Sequence, residues 1–290
     1  MRTQARGLAA AVTDDVIEKT VSGLWPWSRK SLIAPWPDLL VSCGRRSAGY
    51  AIAVRRASGG RTLIVHVQDP RWRADAFDLI VAMQHDSIRP AANVIKVATA
   101  VHDLTPEALA EAVDAWRERF ARLSRPLTGI IVGGDLRGRP FTRADGERLI
   151  AALDRLRAGG GLAITPSRRT PDAVRALLHA AYGEDPNVFL WDLTGDNPYR
   201  GILALADRLV VTSDSVSMVS EALSAPHPVE VFDLDFPRHR QFTQRLVDLG
   251  LVRRFTGDPS HPPTTGPVNA TANAAAVVKA LLQTRTGMSG

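Results

Sequence analysis

Nine short apolar runs recur along this chain, at 38–42, 62–67, 77–82, 93–97, 129–132, 162–165, 188–191, 208–212 and 229–232, and many are unbroken Val, Ile and Leu. An unbroken run of this length suits a parallel strand covered on both faces, whereas a strand with one wet face would alternate. Between the runs, the apolar spacing predicts helices over 48–57, 106–123, 143–157, 171–181, 198–206, 217–223 and 237–249. Pro106 and Pro171 follow Thr105 and Thr170, the cap-then-proline order of a helix start. Strands alternating with helices in this way predict a doubly wound α/β architecture.

The 290 residues allow two domains, and the best boundary is the Ser-Arg-Pro stretch at 124–126. Each side then has four or five strands, enough for its own sheet. The expected layout is an N-terminal, acceptor-side Rossmann-like lobe over 1–124 and a C-terminal, nucleotide-sugar-binding lobe over 125–257, with a cleft between them. Residues 258–290 are expected to form a linker rich in Pro, Thr, Ser and Gly, then a final helix over 274–282.

Composition narrows the partners. Hydrophobic residues make up 45% and charged residues 23%, as in globular proteins with real cores. No apolar run approaches the roughly 20 residues of a membrane span, and the N-terminus is too polar for a signal peptide. One cysteine, Cys43, rules out an internal disulfide, and a cytoplasmic location is expected. The formal charge is +6, carried almost wholly by arginine, with lysine only at 19, 30, 96 and 279. Acidic residues are interspersed throughout, which argues against a nucleic-acid surface. Arginine suits phosphate groups, so phosphorylated small molecules or an anionic membrane surface fit better.

Three strand-end segments carry candidate chemistry. After the run at 208–212 come Thr212, Ser213, Asp214, Ser215, Ser217 and Met218, opening a helix whose Glu221 lies one turn in. Backbone N–H groups and hydroxyls at such a place form an anion site, and a carboxylate at Glu221 suits the hydroxyls of a ribose. Asp214 and Ser215 equally suit plain helix caps. The second segment, Ser167-Arg168-Arg169, ends the run at 162–165. Two guanidinium groups there would neutralise a leaving diphosphate without a metal, or simply be solvated. The third, Gly133-Gly134, is a loop where a ligand can approach the backbone. Asn197-Pro198-Tyr199 opens the helix before the run at 208–212, where the Asn-Pro pair is also ordinary turn chemistry.

Taken together and in order, Ser167-Arg168-Arg169-Thr170-Pro171, Asn197-Pro198-Tyr199 and the segment from Thr212 to Ala222 resemble the signatures of the mitochondrial-fission Elm family. The resemblance covers most of the chain, including 77–86 and the Gly133-Gly134 loop. It implies the GT-B fold and a metal-independent glycosyltransferase. Such an enzyme moves a sugar from a nucleotide-sugar, its substrate rather than a cofactor, to a hydroxyl on a lipid-linked or glycan acceptor, in surface-polysaccharide assembly. Other readings of the family are a nucleoside-diphosphate-sugar epimerase and a non-catalytic adaptor that recruits a fission protein. Family members open with a strand and an Asp-Gly-x-x-Gly loop before a segment like Gln4-Ala5-Arg6-Gly7, and the expectation is that such a strand is missing here.

In the N-terminal half, His66, Gln68, Asp69, His85, Asp86, His102 and Asp103 follow strands. Asp86 and His85 are the first choices for a base that activates the acceptor. Trp25, Trp27 and Trp36 beside Arg29 and Lys30 suit either a peripheral membrane contact or packing on the lobe. No Gly-x-Gly-x-x-Gly occurs, and no tyrosine has a lysine four residues on, which argues against a short-chain epimerase. There is no phosphate-loop motif, and one cysteine with scattered histidines makes a zinc site improbable. Asp233-Leu234-Asp235 resembles a metal-binding Asp-x-Asp motif only weakly, and no metal is expected.

Overall fold

The computed structural model describes residues 2–20, 34–136, 138–260 and 266–287. Its compact units are Met1–Asp103 with Asn269–Gly290, and Leu104–Val268.

The first unit holds α1 (Arg2–Ala10), β1 (Leu39–Cys43), α2 (Arg45–Ala57), β2 (Leu63–Val67), β3 (Leu79–Met83), β4 (Val94–Val97) and α9 (Ala270–Gly287). The four strands are parallel, in the order β1-β2-β3-β4. Leu63, Val65 and Val67 turn to a core with Leu8, Ala274 and Val278, while Ile64 turns to Ala48, Ala51, Ile52 and Phe77. Both faces of β2 are thus covered, which is why its sequence is an unbroken apolar run. Trp36 packs against this second core. Trp25, Trp27, Arg29 and Lys30 lie outside the described residues.

His66, on β2, is fully buried. The Ser42 hydroxyl donates to Val65 O (3.3 Å) and sits 2.8 Å from His66 Nδ1. Its Nε2 has no hydrogen-bond partner among the described residues. Burial pushes this imidazole down to about 4, opposed by nearby Asp69. A depressed histidine stabilises the fold fully above the unfolded value near 6.5. That contribution is lost as pH falls towards 4, because only the unfolded chain takes up the proton. The full difference is about 3 kcal/mol. Urea unfolding between pH 7 and 4 is expected to show this slope in the wild type and a flatter one in His66→Leu; equal slopes would refute it.

The second unit holds α3 (Pro106–Ala121), β5 (Leu127–Val132), α4 (Arg143–Arg157), β6 (Gly161–Pro166), α5 (Asp172–Tyr182), β7 (Val188–Leu190), α6 (Tyr199–Leu205), β8 (Arg208–Thr212), α7 (Val216–Ala222), β9 (Val229–Phe232), α8 (Pro237–Asp248) and β10 (Arg253–Arg254). Its six strands are parallel, in the order β10-β9-β8-β5-β6-β7. Leu149, Leu153, Val174, Leu178 and Tyr182 cover one face over Ile130, Val132, Leu162, Ile164 and Val210.

The units part at Leu104 rather than at the expected 124/125. Helix α3 buries Ala112, Trp116 and Phe120, and the last two rings meet Phe189 of β7 at centroid distances of 5.8 and 5.2 Å. Gly201 of α6 lets that helix come close, since a Cβ there would lie 2.3 Å from the Trp116 ring. The described residues beyond 257 do not stand apart either. Arg208 donates to the carbonyls of Asp258 and Pro259, and α9 completes the first unit's core. Strand β10, two residues long, is too short to leave a sequence pattern.

Candidate functional site

In the second sheet the strand order reverses between β5 and β8, the switch point at whose carboxyl ends a doubly wound sheet takes its ligand. Gly133-Gly134 follows β5, Thr212–Asp214 follows β8, and Ser167–Thr170 follows the neighbouring β6. The sequence-expected segments therefore meet at the place where a doubly wound sheet binds ligands.

Direct bonds join these loops. Gly133 N donates to Thr212 Oγ1 (2.8 Å), whose hydroxyl donates to Asp214 Oδ1 (2.6 Å). Gly134 N donates to Asp214 Oδ2 (2.8 Å), and Arg169 Nη2 reaches the same oxygen at 3.3 Å. Thr170 Oγ1 donates to the Gly133 carbonyl and accepts from Ser167 N (2.9 Å). Burial pushes the Asp214 carboxyl above its ordinary range, opposed by the bonds from Thr212 and Gly134 and by the charge of Arg169.

The two glycines serve this packing rather than the ligand approach read from sequence. A Cβ on Gly133 would lie 2.1 Å from both Asp214 carboxylate oxygens, and one on Gly134 would lie 2.0 Å from Arg169 O. Asp214 likewise differs from expectation: its side chain is fully buried and turned inward, holding the loops in place. Ser215 caps α7, accepting from Met218 N at 3.3 Å, so the plain helix-cap reading fits it. Asn197 Oδ1 accepts from Tyr199 N (2.9 Å), a turn that starts α6. Ser167 Oγ accepts from Arg169 N (3.1 Å).

What remains for a ligand is more selective than the sequence implied. Arg169 is half committed, to Asp135 O (3.2 Å) and Asp214. Arg168 is exposed, with no side-chain hydrogen bond or ion pair among the described residues. Ser217 is exposed at the start of α7, and Met218 is half-buried. Tyr199 OH donates to Glu221 Oε2 at 2.7 Å, joining the start of α6 to α7 and fixing that carboxylate.

Sequence reasoning passed over one feature. Trp116, Arg119, Phe189, Leu190, Trp191, Asp192, Thr194, Gly195 and Asp196 line a cavity of about 380 Å³ beyond the end of β7. Arg119 stacks 4.6 Å over Trp116 and pairs with Asp196 at 3.0 Å; Trp191 Nε1 donates to Thr194 O (2.7 Å). The cavity wall ends where Asn197-Pro198-Tyr199 begins. The signal available in sequence was Trp191 closing a strand, two residues after Phe189.

The Asp-x-Asp resemblance has a local explanation. Asp233 pairs with Arg254, and Asp235 pairs with Arg240 at 2.6 Å. Among the described residues, no three His, Cys, Asp or Glu groups cluster as metal ligands. In the first unit, Asp86 follows β3; its Oδ2 accepts from Met83 N (2.9 Å) and its carbonyl from Lys96 Nζ (2.6 Å), so this carboxylate shapes a turn. His85 beside it is half-buried. No helix among the described residues is long and apolar enough to cross a membrane.

Among solved structures, the UDP-GlcNAc 2-epimerase of Neisseria meningitidis bound to UDP-GlcNAc matches 86% of this chain and 76% of its own, with TM-score 0.53 at 14% identity. MurG of Acinetobacter baumannii matches 85% of this chain and 73% of its own, with TM-score 0.51 at 17% identity. These likenesses show the fold, two Rossmann-like lobes of the GT-B type. Among curated proteins, mitochondrial fission protein ELM1 of Arabidopsis thaliana is 29% identical over 297 residues, covering 93% of this chain and 70% of its own. An uncharacterized protein of Rickettsia prowazekii, RP120, is 24% identical over 257 residues, covering 76% and 72%. With the family described as mitochondrial fission ELM1 matching residues 1–282, the chain belongs to that family.

Proposed function

We propose that the second unit binds a nucleotide-sugar and that the protein transfers its sugar to a hydroxyl acceptor, with arginine rather than a metal ion as counter-charge. The observation that carries this reading is the bonded convergence of the β5, β6 and β8 loops at the reversal of strand order, with Arg168 left exposed at its rim. In the reaction, the bond from the anomeric carbon to the phosphate oxygen breaks, its electron pair stays on the diphosphate, and the acceptor oxygen forms the new bond as its O–H bond breaks and the proton passes to water. Arg168 stabilises that growing negative charge, and Arg169, held from below by Asp214, adds to it. Glu221, oriented by Tyr199, accepts ribose hydroxyls. The aromatic cavity after β7 has the walls and size for a nucleobase. The solved epimerase likeness, which is bound to UDP-GlcNAc, is consistent with this class of ligand.

Thermal unfolding with UDP, GDP, CMP and their sugars tests the reading. A ligand at a hundred times its Kd adds about 2.7 kcal/mol, which corresponds to roughly 5–10 °C. One nucleoside diphosphate is expected to give such a rise. Arg168→Ala should lose the advantage of diphosphate over nucleoside without lowering the ligand-free midpoint, because the position is an exposed loop. Glu221→Ala should lose the response altogether. An unchanged diphosphate preference in Arg168→Ala would remove it from the site. A second reading, adaptor without turnover, is favoured by the fission role in the names of the family and its Arabidopsis member. It predicts no shift with any nucleotide. Product analysis with a UDP-sugar separates transfer from epimerisation, since a shared fold does not choose between reactions.

A further inference from the structure

The charge of this protein is divided unevenly. The first unit contains sixteen Lys and Arg against nine Asp and Glu, the second twenty against twenty-one, so the whole positive excess belongs to the first. At the carboxyl edge of the first sheet three loops lie side by side. Gly44 N donates to Val67 O (3.2 Å), tying the end of β1 to β2, and Arg71 Nη1 donates to Ser87 Oγ (3.2 Å), tying the loop after β2 to that after β3.

The acidic groups of this edge are engaged locally. Asp69 accepts from Arg71 N (2.7 Å) and pairs with its guanidinium at 3.4 Å, Asp75 pairs with Arg73 at 3.4 Å, and Asp86 accepts from Met83 N. Arg45 and Arg46, which follow Gly44, and Arg89, two residues past Ser87, are exposed, with no side-chain hydrogen bond or ion pair among the described residues. Between Arg71 and Arg73 stands Trp72, 47% exposed. The exposed large apolar side chains among the described residues are Ile17, Trp72 and Leu249, and Trp72 is the one flanked by arginines. Its loop is held in an unusual shape, with Gln68, Arg71 and Arg73 at φ of 78°, 70° and 49°. Such conformations cost energy in residues other than glycine, and they fall in the loop that leaves Trp72 exposed.

We propose that this edge docks on an anionic lipid bilayer, with Trp72 entering the headgroup region and Arg45, Arg46 and Arg89 meeting lipid phosphates. An indole with its apolar body and N–H suits the interface between water and hydrocarbon. Unpaired arginines next to it supply the attraction to negative lipid. The docking is independent of the nucleotide reading of the second unit.

Co-sedimentation of the full chain with vesicles of phosphatidylcholine alone, or with 40% phosphatidylglycerol, tests this. Binding is expected only to the anionic vesicles, and it should weaken at high salt. Each arginine near such a surface is worth about 1 kcal/mol, or roughly fivefold. The triple change Arg45→Gln, Arg46→Gln, Arg89→Gln should then weaken partitioning on the order of a hundredfold. Trp72→Ala should cost roughly tenfold, from lost apolar burial. Arg122→Gln, an exposed arginine of the second unit, should change nothing. Circular dichroism confirms that each variant is folded. No binding of the wild type to anionic vesicles would overturn the proposal, as would equal binding by the triple variant. If soluble polyphosphate displaces the protein and Trp72→Ala binds as tightly as wild type, the edge is a polyanion site and the membrane assignment falls.

Discussion

Replacing Glu230 by alanine is expected to destabilise the second unit by about 3–5 kcal/mol, the cost of stripping one partner from a buried ion network. Glu230 is the second residue of β9 and Arg208 the first of β8. Val210 is the register partner of Glu230, so Arg208 lies on the same face, two residues earlier. Both side chains are almost wholly removed from water, and the carboxylate pairs with Arg208 and with Arg253, the latter at 2.9 Å. Arg208 also holds the Asp258 and Pro259 carbonyls, which anchors the chain where it leaves the sheet. In Glu230→Ala the guanidinium of Arg208 remains buried without its paired carboxylate. The double change Arg208→Met, Glu230→Leu should cost much less, because it removes both charges and keeps the volume. Guanidinium unfolding that reports a loss below about 1 kcal/mol for Glu230→Ala would show that the network contributes nothing.

The second large effect is expected at Asp214 and is diagnostic of how the strand-end loops are held. Asp214→Ala leaves the buried Gly134 N–H and the Thr212 hydroxyl without their acceptor, at about 1–3 kcal/mol each, so about 4 kcal/mol together. Gly133→Ala should cost several kcal/mol on its own, since the new methyl would overlap the carboxylate. Combined, the two should cost no more than Asp214→Ala alone, because the methyl then occupies space that the carboxylate has vacated. A denaturant series on the single and double variants measures the coupling, and simple additivity would mean that the loops are not packed as described. Ligand response should disappear in all three, because Arg168 and Arg169 sit on the loop that Asp214 secures.

The order and type of elements were written into the local sequence. Runs such as Leu209-Val210-Val211 are apolar throughout because both sheet faces are covered, and Thr105-Pro106 marks a helix start from its own chemistry. The co-occurring strand-end segments also located the candidate site on the second lobe, since a doubly wound sheet puts its ligand at strand ends whatever the details. Tertiary structure alone decided which of those side chains stay exposed and which are buried between the loops. Whether Asp214 points out or in depends on Gly133 lacking a side chain 81 positions earlier, and whether Arg169 is committed depends on Asp135 as well. The domain boundary at Leu104 follows from α3 meeting Gly201 and Phe189, and the return of α9 to the first unit from Leu8 and Val65. Contacts between distant residues leave no periodic trace in either partner. A sequence therefore declares its strands and helices through near neighbours, while the direction of a polar side chain is settled by what the fold brings against it.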